Sequence, residues 1–187
     1  MPFFSSLPED ATTRHIFQRS PQRFHAFAEF SQSLMRGDSP LSPGVRELLG
    51  AYVSALNECA YCVGGHIATA KRFGIEPDLL QALLDDIDNA HIEDRLKPLF
   101  RYVKKLSSTP HKMVQADADA VFALGWPEQA LEDAIGVCCS FSFMNRLVQG
   151  YGIVADDTKF DERARQHAEL GYVGQLISPA KSAGKSV

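Results

Sequence analysis

The apolar residues of this 187-residue chain recur every three or four positions along most of its length, and that spacing limits what it can fold into. Such residues share one face of an α-helix, whereas a half-buried strand alternates apolar and polar positions. After Pro21, "QRFHAFAEFSQSLM" places Phe24, Phe27, Phe30 and Leu34 on one stripe. "IEDRLKPLFRYVKKL" does the same with Leu96, Leu99, Val103 and Leu106. No stretch sustains the alternation of a strand. The expected class is all-α, a single-domain helical bundle of about seven to nine helices.

Turn chemistry divides the pattern. "RGDSPLSP", Arg36 to Pro43, breaks the first long helix, and Ser42 with Pro43 predicts the cap and first position of the next, through about Leu56. Asn57 ends that helix or caps the following one, which runs from about Cys59 to Phe73 and closes at Gly74. Pro77, the Ser108-Thr109-Pro110 run, Gly125 and Pro127 delimit the later helices, the longest reaching about Gly152. The expected organisation is an N-terminal extension at 1–20, a helical domain at 21–177 with a core motif at 41–74, and a small, polar, disordered tail at 178–187.

Composition excludes several functions. The chain is 45% hydrophobic and 22% charged, as expected of a soluble globular protein. Nineteen basic residues against 23 acidic ones give a net charge of −4, which offers no footprint for nucleic acid or an anionic membrane. No apolar run has the length of a membrane span. The start "MPFFSSLPEDATTRH" lacks the pattern of a secretory leader, so the expected compartment is the cytoplasm, where structural disulfides are rare. Four cysteines there are buried thiols, catalytic thiols or metal ligands.

The stretch "CAYCVGGHIA" concentrates that question. Cys59 and Cys62 are three apart and Cys62 and His66 four apart, so all three lie on one helical stripe. A thiol in the first helical turn, or beside an imidazole, has its pKa lowered toward neutrality. The same spacing permits a disulfide that resolves a sulfenic acid. Spacing alone leaves three readings open: a redox pair, half of a zinc site, or buried structural cysteines with an incidental histidine. A zinc site lacks an obvious second pair of ligands, because Cys138 and Cys139 are adjacent and diverge on a helix, and nothing in the spacing of His91 or His111 supports them.

The preceding residues add a resemblance. "LSPGVRELLGAYVSALNECAYCVGGH" resembles the core signature of the alkyl hydroperoxidase D-like family, within the carboxymuconolactone decarboxylase superfamily. It carries Arg46-Glu47 at its head, "VSALN" before the first cysteine, C-x-Y-C, and a histidine four residues after the second cysteine. Glu47 lies twelve residues before Cys59, as in that family. "GWPEQALEDAIGVCCSFSFMNRLVQGYG", with Asn145-Arg146, is similar to the family's late helix, and the helices from about Gln22 to Gly152 fit its peroxidase-related subgroup. Tyr61 departs from members that have a second histidine there.

The resemblance implies a thiol peroxidase of the alkyl hydroperoxidase D-like type. In it Cys62 attacks the peroxide, Cys59 resolves, His66 is the base and Glu47 its acidic partner. It implies a small-molecule hydroperoxide substrate and an external dithiol, thioredoxin-like or lipoyl reductant, with no cofactor or metal. It also implies a homo-oligomer, with a hexamer as one option. The alternatives are a carboxymuconolactone decarboxylase-like enzyme and a non-enzymatic zinc-binding or oligomeric protein. The segment Ala134 to Met144, apolar or small all round, is expected near a subunit interface. Cys138, Cys139, Asn145 and Arg146 read as structural, Tyr61 as packing or lining an access route, and His15, His25 and His167 carry no signal. "DDIDNAHIEDR" reads as a solvated face.

Overall fold

Ser42 and Pro43 start the helix on which the molecule is built: the Ser42 side chain accepts a hydrogen bond from the Val45 backbone N–H at 3.3 Å, and Pro43 fills the first turn. In the computed structural model, which describes residues 1–174, nine α-helices follow in order, and no strand occurs among the described residues. They are α1 (Thr13–Arg19), α2 (Pro21–Arg36), α3 (Pro43–Leu56), α4 (Ala60–Arg72), α5 (Leu79–Asp85), α6 (Lys97–Ser108), α7 (Gln115–Phe122), α8 (Glu128–Gly150) and α9 (Phe160–Leu170). None is long and apolar enough to cross a membrane. The tail expected at 178–187 lies outside the described residues.

α3 is the central helix. Leu48, Leu49, Tyr52 and Val53 are fully buried, and the helix packs against α2, α4, α5, α6 and α8. Such a helix is covered on every side, so its polar residues need partners from its neighbours. Arg46 finds them in the α2–α3 turn, where its Nη1 donates to the Leu34 and Gly37 carbonyls at 2.7 and 3.0 Å.

The break between α3 and α4 is tight. Asn57 closes α3, and Glu58 adopts φ 55°, the left-handed region that non-glycine residues rarely enter. α8 holds this bend: Gln149 Nε2 donates to the Asn57 and Glu58 carbonyls at 3.0 and 3.2 Å, and Asn57 Nδ2 donates to Asn145 Oδ1 at 2.9 Å. α4 therefore folds back along α3, which brings the residues after Cys59 beside those after Pro43.

Two segments beyond the long helices complete the body. The first 20 residues pack onto it: Ile16 and Phe17 are buried, the Phe17 and Phe24 rings stack at 4.8 Å, and the Thr13 backbone N–H donates to the Tyr61 hydroxyl at 3.2 Å. α9 crosses α4, with the Phe160 ring lying directly over Gly64. Within the segment Ala134 to Met144, Cys139 and Phe143 are exposed, so the single chain leaves one side of this helix uncovered. Asp85, Asp86, Asp88, Glu93 and Asp94 are exposed, as a solvated face requires.

The adjacent glycines of α4 make the packing of α9 testable. A Cβ on Gly64 would overlap the Phe160 ring, whereas one on Gly65 would meet nothing within 4 Å. Gly64→Ala should destabilise by roughly 1–3 kcal/mol through overpacking. Gly65→Ala should stabilise by up to about 1 kcal/mol through helix propensity. Urea unfolding of both variants checks this, and equal shifts of the same sign would contradict the placement of α9.

Candidate active site

The side chain with the strictest demands here is the carboxylate of Glu47, which is wholly inaccessible to solvent. A buried charge persists only with opposite charges and hydrogen-bond donors around it. Two helices and a residue beyond α9 supply them. Arg36 Nη2, from the end of α2, donates to Oε1 at 2.6 Å, and His66 Nδ1, from α4, lies 2.7 Å from Oε2. The Tyr172 hydroxyl donates to the two oxygens at 3.1 and 3.3 Å. Burial by itself would raise the Glu47 pKa, but the hydrogen bond and charge of His66, then the Arg36 charge, outweigh it and hold the group at about 2. Burial and the Glu47 charge push the Tyr172 hydroxyl well above its ordinary value, so it stays a donor.

His66 reaches α3 because Gly50, one turn beyond Glu47, has no side chain. A Cβ there would stand 3.3 Å from His66 Nδ1 and 3.0 Å from the Phe141 ring. Phe141 packs edge-on against the imidazole, ring centres 4.1 Å apart at 74°. With Nδ1 turned to Glu47, Nε2 is left as the nitrogen able to take up a proton.

Cys59 caps the N-terminus of α4, and Cys62 sits in its first turn. Both thiols are free and buried, and their sulfurs lie 2.6 Å apart in a shared hydrogen bond. The pair is asymmetric. The hydrogen bond from Cys62 lowers the Cys59 pKa against the effect of burial, with help from the Cys62 backbone N–H and the Asn145 side chain. The contact with Cys59 and burial raise that of Cys62. Asn145 is fully buried and held by Asn57 on one side and by Ser54 Oγ, at 3.0 Å, on the other.

A cavity of about 580 Å³ opens beside these groups. Cys62 and His66 form part of its wall; Cys59 does not. Its inner surface is apolar, with Phe17, Phe27, Phe141, Met144 and Val148, and its rim comes from the N-terminal segment and α9. His167 of α9 also faces it, and burial drives that imidazole's pKa down to about 4, so it is neutral at neutral pH. Among the described residues, no group of three or more His, Cys, Asp or Glu side chains is placed to hold a metal ion.

The structure thus brings together all four residues singled out in the sequence. One expected contact is missing: no hydrogen bond joins His66 to Cys62, although they are four residues apart on α4. The pull of Glu47 and the packing of Phe141 turn the ring toward α3, while imidazole and thiol both line the cavity.

The model of the carboxymuconolactone decarboxylase family matches residues 21–105, the segment that carries Glu47, Cys59, Cys62 and His66. Over those residues the chain resembles the carboxymuconolactone decarboxylase family. Its fold is shared by an uncharacterized peroxidase-related protein from Silicibacter sp. TM1040, at a TM-score of 0.72 and 22% identity over 79% of this chain and 78% of that one. An alkylhydroperoxidase AhpD core protein from Ralstonia eutropha JMP134, also described as uncharacterized and peroxidase-related, gives 0.69 and 24% over 83% and 90%. A protein of unknown function from Agrobacterium tumefaciens, named as a candidate antioxidant defence protein AhpD, gives 0.62 and 16% over 75% and 95%. A search of curated proteins found no match.

The family match stops before three residues that complete the site: Asn145 on α8, His167 on α9 and Tyr172 beyond it. Asn145 read as structural and His167 as carrying no signal, and the structure places both beside the reactive groups. The apolar or small run Ala134 to Met144, followed directly by Asn and Arg, was the available clue to Asn145. α9 offered none, because Ala164 is its one fully buried side chain.

The charge on Glu47 is testable through pH. Its pKa falls from an ordinary 4.5 to about 2 on folding, so its stabilising contribution is complete above about pH 4.5 and is lost as pH drops toward 2. Glu47→Gln leaves the Arg36 charge buried without its partner and should cost roughly 3 kcal/mol at pH 7. In urea unfolding, the gap between wild type and Glu47→Gln should be widest at neutral pH and narrow below pH 4.5. A gap that stays constant to pH 3 would contradict an ionised buried Glu47.

Proposed function

We propose that this protein is a thiol-dependent hydroperoxide reductase in which Cys62 attacks the peroxide and Cys59 resolves the product. The observation that carries this reading is the position of the two sulfurs: they are in contact, and only Cys62 forms part of the cavity wall. The match of residues 21–105 to the carboxymuconolactone decarboxylase family, and fold neighbours described as peroxidase-related, support it.

The thiol proton of Cys62 passes to His66 Nε2, and the Cys62 thiolate attacks the terminal oxygen of ROOH. The O–O bond breaks, Cys62 becomes a sulfenic acid, and the leaving RO⁻ takes the proton from His66 to give ROH. Glu47, fixed as a carboxylate, holds the His66 tautomer and stabilises the imidazolium that forms in between. Cys59 then attacks the Cys62 sulfur, forming the disulfide and releasing water. An external dithiol, thioredoxin-like or lipoyl, returns both thiols and is itself oxidised.

The thiol asymmetry fits these roles in order. In the resting pair the negative charge is favoured on Cys59, which the peroxide cannot reach through the cavity wall. With the sulfurs 2.6 Å apart, a proton moves between them over a hydrogen bond, so access selects which thiolate meets the substrate. Once Cys62 is oxidised its thiol no longer donates, and the Cys62 backbone N–H and the Asn145 side chain remain to favour a Cys59 thiolate for the resolving attack. The arrangement also favours redox over zinc, since no third ligand joins the pair among the described residues.

Single-cysteine variants separate the roles. Cys62→Ser should abolish oxidation of the protein by cumene hydroperoxide. Cys59→Ser should react once and stop at a Cys62 sulfenic acid that a dimedone probe labels. Sulfenic acid in Cys62→Ser and none in Cys59→Ser would reverse the assignment, and silence in both would remove the peroxidase reading.

A further inference from the structure

The cavity is far larger and more apolar than hydrogen peroxide needs. At about 580 Å³ it falls among pockets that enclose drug-sized ligands, whereas a water molecule occupies about 30 Å³. Its inner wall is built of aromatic and aliphatic side chains, so an organic body gains from burial there.

The rim has the opposite character, and its charges are unequally matched. Asp10 pairs with Lys159 at 3.1 Å. Glu162 pairs with Arg165 at 2.8 Å and also accepts from Gln166 at 2.8 Å. Those two acids therefore already have cationic partners. Arg163, between them on the rim, has no hydrogen bond or ion pair among the described residues. Its guanidinium lies over the Tyr61 ring, 4.8 Å from the ring centre, and Tyr61 directly precedes Cys62. The Tyr61 hydroxyl is fixed in turn by the Thr13 backbone N–H. Stacking on an aromatic face orients a guanidinium while leaving its edge, with its fork of N–H donors, free for a carboxylate.

We infer that Arg163 is an anion subsite at the cavity mouth, which takes the carboxylate of an organic acid whose apolar body fills the cavity past Cys62. Joined to the peroxidase reading, on which this part rests, the substrate is the hydroperoxide of such an amphipathic acid. A bidentate guanidinium–carboxylate contact at the rim anchors one end of the molecule, so the reacting group is presented to the wall that holds Cys62 and His66.

Binding tests the subsite without turnover. In calorimetric titration the wild type should bind octanoate about tenfold or more tightly than 1-octanol, which has the same length and no charge. In Arg163→Gln that ratio should fall close to one, and Arg163→Lys, which keeps the charge without the fork, should restore part of it. With a carboxylate-bearing hydroperoxide and its methyl ester, the same preference should appear in KM and vanish in Arg163→Gln. Equal affinity for octanoate and 1-octanol in the wild type, or an undiminished preference in Arg163→Gln, would overturn the subsite. An octanoate preference that depends on Arg163 in a protein inert to every hydroperoxide would uphold the subsite and defeat the peroxidase reading alone.

Discussion

The buried carboxylate of Glu47 is the constraint around which this fold is arranged. An ionised group with no access to water must be matched on every side, and here the matches come from Arg36 at the end of α2, His66 on α4 and Tyr172 beyond α9. Four parts of the chain far apart in sequence are thus tied to one point. Arg36 binds further by stacking between Phe73 and Tyr172, with ring centres at 4.8 and 5.2 Å. The absence of a side chain at Gly50 admits the imidazole to this cluster. The same requirements that keep the charge buried also fix the tautomer and position of His66, so stability and chemistry depend on the same contacts.

The thiol pair depends on a second constraint, the bend at Asn57 and Glu58. The left-handed Glu58 costs conformational energy, and Gln149 and Asn145 of α8 offset it with hydrogen bonds. That bend sets Cys59 at the cap and Cys62 one turn later, sulfur against sulfur. Because α8 both holds the bend and supplies Asn145 to the thiols, the helix that closes the fold also tunes the pair.

Much of this was legible in the sequence. The all-helical class followed from the period of the apolar residues, and the start at Ser42-Pro43 and the stops at Asn57 and Gly74 were placed by turn chemistry. The meeting of Glu47 with His66 followed from the family resemblance, since spacing within one helix says nothing about a partner on another. What stayed hidden depends on long-range packing. His167 comes from a polar helix with one buried residue and Tyr172 from the turn after it, so neither periodicity nor motif marks them. Gly50 matters for what it lacks, and Asn145 for a contact across helices. The direct His66–Cys62 contact expected from i,i+4 spacing was displaced by a stronger attraction, the hydrogen bond to the Glu47 carboxylate.

The central claim is that peroxide oxidises Cys59 and Cys62 as a pair inside this fold. Mass spectrometry of the reduced protein after one equivalent of cumene hydroperoxide tests it most directly. The account predicts a loss of about 2 Da, two hydrogen atoms, with a Cys59–Cys62 disulfide in the digest and with Cys138 and Cys139 still open to alkylation after unfolding. An unchanged mass with all four thiols alkylatable, or oxidation confined to the exposed Cys139, would contradict it.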